Sequence, residues 1–125
     1  MKYVQETIAV ARDNTRFTIH ISNAQGSPDW ELEIYMRVPT TGKLASIFGA
    51  GHTWTVDVKP GPYPSADAAF RVVAAALGNF QNAHGGGNVI VTVDNPCNAD
   101  FVAAATQEAM LKQSGVNARV TVNGK

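Results

Sequence analysis

Apolar and polar residues alternate along three stretches in the first half of the chain. From Arg16 to Ser22, Phe17, Ile19 and Ile21 interleave with Thr18, His20 and Ser22. From Trp30 to Val38, the series Trp30, Leu32, Ile34, Met36, Val38 interleaves with Glu31, Glu33, Tyr35 and Arg37. From Thr53 to Lys59, Trp54, Val56 and Val58 interleave with Thr53, Thr55, Asp57 and Lys59. Period two with one apolar face predicts antiparallel strands covered on one side only. Both tryptophans fall on the apolar side and read as core. Tyr3 to Arg12 predicts a further strand, turning through Asp13-Asn14-Thr15 into the next. His20, Glu31, Glu33, Tyr35, Arg37, Asp57 and Lys59 share the polar side, which reads as a solvated face. The stretch between strands from Pro39 to His52 is long and holds Gly42, Lys43, Gly49 and Gly51, which makes it a candidate binding loop.

The period then changes. Lys59-Pro60-Gly61-Pro62-Tyr63-Pro64 breaks regular structure, and Ser65 is suited to cap a helix with Asp67 in its first turn. Phe70, Val73, Leu77 and Phe80 recur at helical spacing, predicting a helix from Ser65 to about Ala83, with Gly78 allowing it to lie close to a sheet. His84-Gly85-Gly86-Gly87 ends it. Asn88 to Asp94 is nearly all β-branched, as a strand covered on both faces would be. Asn95 as N-cap and Pro96 at the first helical position then predict a second helix. In that reading Phe101, Val102, Ala105 and Ala109 share its inward face, while Met110 and Leu111 lie partly outside it, as an oligomer contact would require. Ser114-Gly115 stops this helix, and Ala118 to Val122 forms a last strand. The expected fold is α+β or α/β, one domain over residues 1–125. It is a single mixed sheet in the order β-β-β-β-α-β-α-β, an antiparallel meander followed by a parallel β-α-β-α-β part.

Bulk properties narrow the function classes. A chain of 125 residues is long enough to bury a core without staples, and its apolar content of 45% is ordinary. Ten basic residues balance ten acidic ones and form no run, so nothing draws the protein toward anionic membranes or nucleic acid. The nucleic-acid alternative would use the sheet face with Arg37 or Lys59. One cysteine forms no internal disulfide, which points to a reducing, cytoplasmic setting. No signal core and no stretch of membrane-spanning length is present.

The sharpest local signal is Val89-Ile90-Val91-Thr92-Val93-Asp94-Asn95-Pro96-Cys97. A strand C-terminus meeting a helix N-terminus is where open α/β sheets gather ligands, because helix amides are unpaired there. Asp94 is a candidate metal ligand or base, and Cys97 a candidate nucleophile whose thiolate those amides would favour. Asn95, Lys43, His52 and His84 are candidate ligand contacts. The order of elements, and the strand ending in Asp94, resemble the ribonuclease H-like fold. That resemblance implies a Mg²⁺-dependent phosphodiesterase site at clustered carboxylates. Only Asp94 carries over. The stretch matching the family's first strand ends His20-Ile21-Ser22-Asn23, and Ala69 and Phe70 stand where the first helix should offer a glutamate. Other motifs fail on context. His84-Gly85-Gly86-Gly87 has no Gly-x-Ser-x-Gly elbow to serve, Gly42-Lys43 lacks Walker spacing, and Ala103 replaces the arginine of a Cys-x₅-Arg phosphatase loop.

No catalytic set is complete, so the expected function is a non-catalytic binding or interaction module. It would associate with itself, and a protein or small molecule would be its partner. No cofactor and no metal site is expected. The rival is a hydrolase-type enzyme at the Asp94–Cys97 junction, with Mg²⁺ as its only implied cofactor.

Overall fold

The computed structural model describes residues 2–11, 14–84 and 101–122, and the backbone of residues 88–94. Four strands form an antiparallel meander: β1 (Lys2–Val10), β2 (Arg16–Ala24), β3 (Glu31–Arg37) and β4 (Thr53–Thr55). A short helix α1 (Lys43–Phe48) lies between β3 and β4, inside the stretch expected to be all loop. Helix α2 (Ala66–His84) follows, then β5 (Asn88–Asp94), α3 (Ala104–Gln113) and β6 (Asn117–Val122). The architecture is mixed α/β, with helices α2 and α3 packed on one face of the sheet.

Strand order is β4-β3-β2-β1-β5-β6. β5 pairs antiparallel with β1 and parallel with β6. This differs from the expected series, in which the last meander strand, β5 and β6 were parallel neighbours. Instead β4 stands at one edge, and the connection through α2 crosses the whole meander to reach β1. The reason lies in the sheet's edges. β3 already fills one side of β2 and β4 ends after three residues, so β1 offers the longer free edge.

The alternation in β2 and β3 becomes a two-sided sheet, whereas β1 turns Gln5, Thr7 and Ala9 inward and leaves Val4 exposed. Phe17, Ile19, Ile21, Leu32, Ile34 and Met36 are buried against α2, whose Ala66, Ala69, Phe70, Val73, Ala74 and Leu77 recur on one helical stripe. Each fully buried side chain of this size stabilises the fold by about 1.5–3 kcal/mol. Ser65 accepts the Ala68 amide at its hydroxyl (3.0 Å), capping α2 as its sequence suggested. Gly78 does let α2 approach a neighbour closely, but that neighbour is α3 and not the sheet. A Cβ at Gly78 would lie 2.6 Å from the Ser114 carbonyl oxygen.

Three expectations are corrected here. The strand from Thr53 to Lys59 stops at Thr55, because after the Val56 amide bonds to the Ile34 carbonyl the next bond back to β3 is from Leu32 to Pro60. Trp54 is therefore 44% exposed and not core, whereas Trp30 is buried. Helix α3 begins at Ala104, so Phe101 and Val102 precede it. Val102 is held from across the molecule: the Gln5 amide nitrogen donates to its carbonyl (2.9 Å) and the Gln5 oxygen accepts its N–H (3.0 Å). Phe101 packs edge-to-face on Trp30, with centroids 5.7 Å apart. These tertiary contacts outweigh the local helix signal. They also rotate the phase of α3: Gln107, Met110 and Leu111 face inward, and Ala105 and Ala109 are exposed. Met110 and Leu111 thus belong to the core and not to an oligomer contact.

Candidate ligand cavity

An apolar concavity lies where the meander runs out of cover. Phe17 and Met36, opposite each other in the β2–β3 register, form its floor. Leu77 and Phe80 on the C-terminal half of α2 form one wall, with Phe80 edge-to-face on Phe17 at 5.0 Å. Phe48 at the end of α1 and Trp54 on β4 complete the lining. A longer β4 would place further side chains across this gap. A three-residue strand leaves it open, with a volume of about 390 Å³. Small-molecule sites typically fall in the range of about 300–1,000 Å³. Thr55 and the Trp54 indole carry the only polar side-chain atoms among the lining residues. An open apolar cleft of this kind can take an apolar guest, whose binding removes apolar surface from water.

Helix α1 is positioned by backbone chemistry more than by its own propensity. It is one and a half turns long, with buried Leu44 as its anchor and no side-chain cap at Gly42. The excursion containing it is closed by the Val38 amide on the His52 carbonyl (3.0 Å) and the Gly51 amide on the Pro39 carbonyl (3.2 Å). Gly49 ends α1 at φ 99°, and a Cβ there would lie 3.0 Å from His52 Nδ1. The turn thus holds His52 against the chain, with its ring 6.1 Å from that of Trp54.

Two sequence candidates meet the cavity's lining. His84 packs its ring on Phe80 (4.8 Å) and Phe48 (5.3 Å), and His52 lies beside Trp54. Lys43 opens α1 and is exposed. Asn95 and Cys97 lie outside the described residues. Asp94 ends β5, ten residues before α3 begins, so it does not sit at that helix's N-terminus. The lining itself carried no single sequence signal: it draws one to three residues from each of five elements, with Val56 just past β4.

The opposite face of the sheet carries a polar row. Glu6 Oε1 accepts a hydrogen bond from His20 Nε2 (2.9 Å), and the Tyr35 hydroxyl donates to the Glu33 carboxylate. The register sets Glu33 opposite His20, His20 opposite Glu6, and Glu6 opposite Asp94. Hydrogen bonding to the Glu33 carboxylate, and then its charge, raises the Tyr35 phenol above its ordinary range. Among the described residues no group of three His, Cys, Asp or Glu is arranged to hold a metal ion. No described helix is long and apolar enough to cross a membrane. Known protein families, curated proteins and solved structures yield no match to this chain.

Proposed function

We propose that the chain is a small non-catalytic binding module whose ligand seats its apolar part in the cavity between α1, α2 and the β3–β4 edge. The observation that carries this reading is the open, almost wholly apolar space of about 390 Å³, walled by four aromatic rings. A neutral fluorescent probe tests it. N-phenyl-1-naphthylamine should brighten saturably with the protein, and Ala76→Trp, which fills the cavity from α2, should abolish the effect. An unsaturable signal, or one that survives Ala76→Trp, would refute the reading.

One observation favours a second reading, the hydrolase-type enzyme at Asp94. The cross-strand row Glu33–His20–Glu6–Asp94 supports it, because a Mg²⁺-dependent phosphodiesterase of the ribonuclease H-like kind needs carboxylates side by side. Under it, Asp94 and Glu6 hold the ion. Calorimetric titration with Mg²⁺ should then show binding that both Asp94→Asn and Glu6→Gln remove. Self-association, if the module uses it, must rest on surface other than Met110 and Leu111, and sedimentation velocity across a concentration series reads it directly.

A further inference from the structure

The face of the sheet turned away from α2 and α3 carries more than its polar row, and we infer that two copies of this chain stack on it. The inference names a surface for the self-association raised above and does not rest on the cavity. Strand β1, between β2 and β5, is sided the wrong way for a face meant only for solvent. It turns Gln5, Thr7 and Ala9 inward and Val4, Ile8 and Val10 outward, leaving Val4 47% exposed. No described helix packs on these outward side chains. A second copy laid over them would remove that apolar surface from water.

Charge on the same face is segregated. The outward positions of β3 read Glu31, Glu33, Tyr35 and Arg37, acid at one end and base at the other. Glu31 meets Lys2 and Glu6 meets His20, whereas Glu33 meets the Tyr35 hydroxyl and no cation among the described residues. At the basic end the register sets Arg37 directly opposite Arg16, and neither forms an ion pair among the described residues. Like charges placed so weaken a sheet. Glu33 does not relieve them within one chain, because four residues along a strand span about 13 Å.

A second copy does relieve them. Glu33 and Arg37 lie two positions either side of Tyr35, whose row continues through Thr18 to Ile8. A two-fold axis along that row brings the faces together and exchanges their ends. Glu33 of each copy then meets Arg37 of the other, and Ile8 meets Ile8. An axis parallel to the strands would instead set acid on acid. Apolar burial on β1 supplies the attraction, and charge selects the orientation. Five strands about 4.8 Å apart and four rows about 6.8 Å apart give a footprint of about 600 Å² per copy, at the small end for a specific interface.

Charge exchange between two exposed positions tests this by sedimentation velocity over a concentration series. The native chain should dimerise with a Kd on the order of 10 μM, weakening about tenfold between about 0.05 and 0.5 M NaCl. Glu33→Lys and Arg37→Glu should each weaken the dimer about tenfold or more, since each sets like charges together. The double variant should regain it. An equimolar mixture of the two single variants should form a heterodimer, because one then offers two cations where the other offers two carboxylates. A native chain that stays monomeric at several hundred μM overturns the inference. So does a dimer that neither single variant weakens, which would join through another surface. Loss in both single variants with no recovery in the double variant or the mixture overturns the orientation and with it the inference. Binding of N-phenyl-1-naphthylamine, read on the same samples, judges the cavity separately.

Discussion

Gln5 shows how one side chain redirects a segment of chain. It is fully buried in β1, and both ends of its amide are spent on Val102, 97 positions away. Gln107 adds a second donor to the same carbonyl at 3.2 Å. Replacing Gln5 by alanine strands the buried N–H and weakens the hold on the carbonyl. The expected loss is about 3 kcal/mol, given a cost of about 1–3 kcal/mol for each buried group left unpaired. The urea midpoint should fall accordingly, and a change below the error of the measurement would contradict this account. Nothing in the local sequence marks Gln5 as special, because β1 has no clean alternation to assign its faces, and its apolar Val4 ends up exposed while Gln5 is buried. On the other face, Glu33→Gln should return the Tyr35 phenol toward its ordinary range, since the carboxylate's hydrogen bond and charge hold it up. Tyrosinate absorbance across alkaline pH reads this shift.

The two long helices and the last strand depend on close contacts between elements. α2 passes the end of α3 at Gly78, where the Ser114 carbonyl leaves no room for a methyl group. Gly78→Ala therefore sets a helix-propensity gain of about 1 kcal/mol against a collision with backbone at 2.6 Å. Overpacking costs about 1–3 kcal/mol, so the variant should be destabilised, and thermal unfolding should show a lower Tm. At the sheet edge, Glu108 of α3 accepts the Val120 amide of β6 at 3.1 Å and pairs with Lys112. The bond to that amide, then Lys112, holds the Glu108 carboxyl below its usual value. A depressed folded-state pKa contributes stability that is present above the unfolded value and is lost as pH falls through the folded one. Stability should thus decline on acidification below the ordinary carboxylate range. Glu108→Gln should show less of that decline in urea unfolding followed across acidic pH.

As a molecule, the chain is a sheet with one covered face, one polar face and a gap in the cover at the β4 edge. Occupation of that gap couples to global stability, because a ligand that binds only the folded state adds about 2.7 kcal/mol at a hundred times its Kd. Saturating N-phenyl-1-naphthylamine should raise the Tm of the native chain and leave that of Ala76→Trp unmoved. Trp54 is at the mouth and half exposed, whereas Trp30 is buried. A blue shift of tryptophan emission on binding should therefore vanish in Trp54→Phe and persist in Trp30→Phe. A shift that survives Trp54→Phe would place the ligand somewhere other than this cavity.

The elements legible in the sequence are those whose information is local. Alternation in Arg16–Ala24 and Glu31–Arg37, the stripe through Phe70, Val73 and Leu77, and the Ser65 cap each repeat or complete themselves within a few residues. They dictated β2, β3, the α2 helix and which faces of those elements are apolar, because a side chain's direction follows from its own backbone period. Histidines near a loop and a helix end could be singled out, but not the cavity they border. The start of α3, the pairing of β5 with β1, the burial of Met110 and Leu111, and the gap beside Trp54 are all sums over contacts between distant residues. Asn95 and Pro96 promised a helix that Val102 could not join, because Gln5 offers its backbone a better-satisfied buried alternative. A cavity is more distant still from any local pattern. It exists where five elements fail to meet, and no residue encodes that alone.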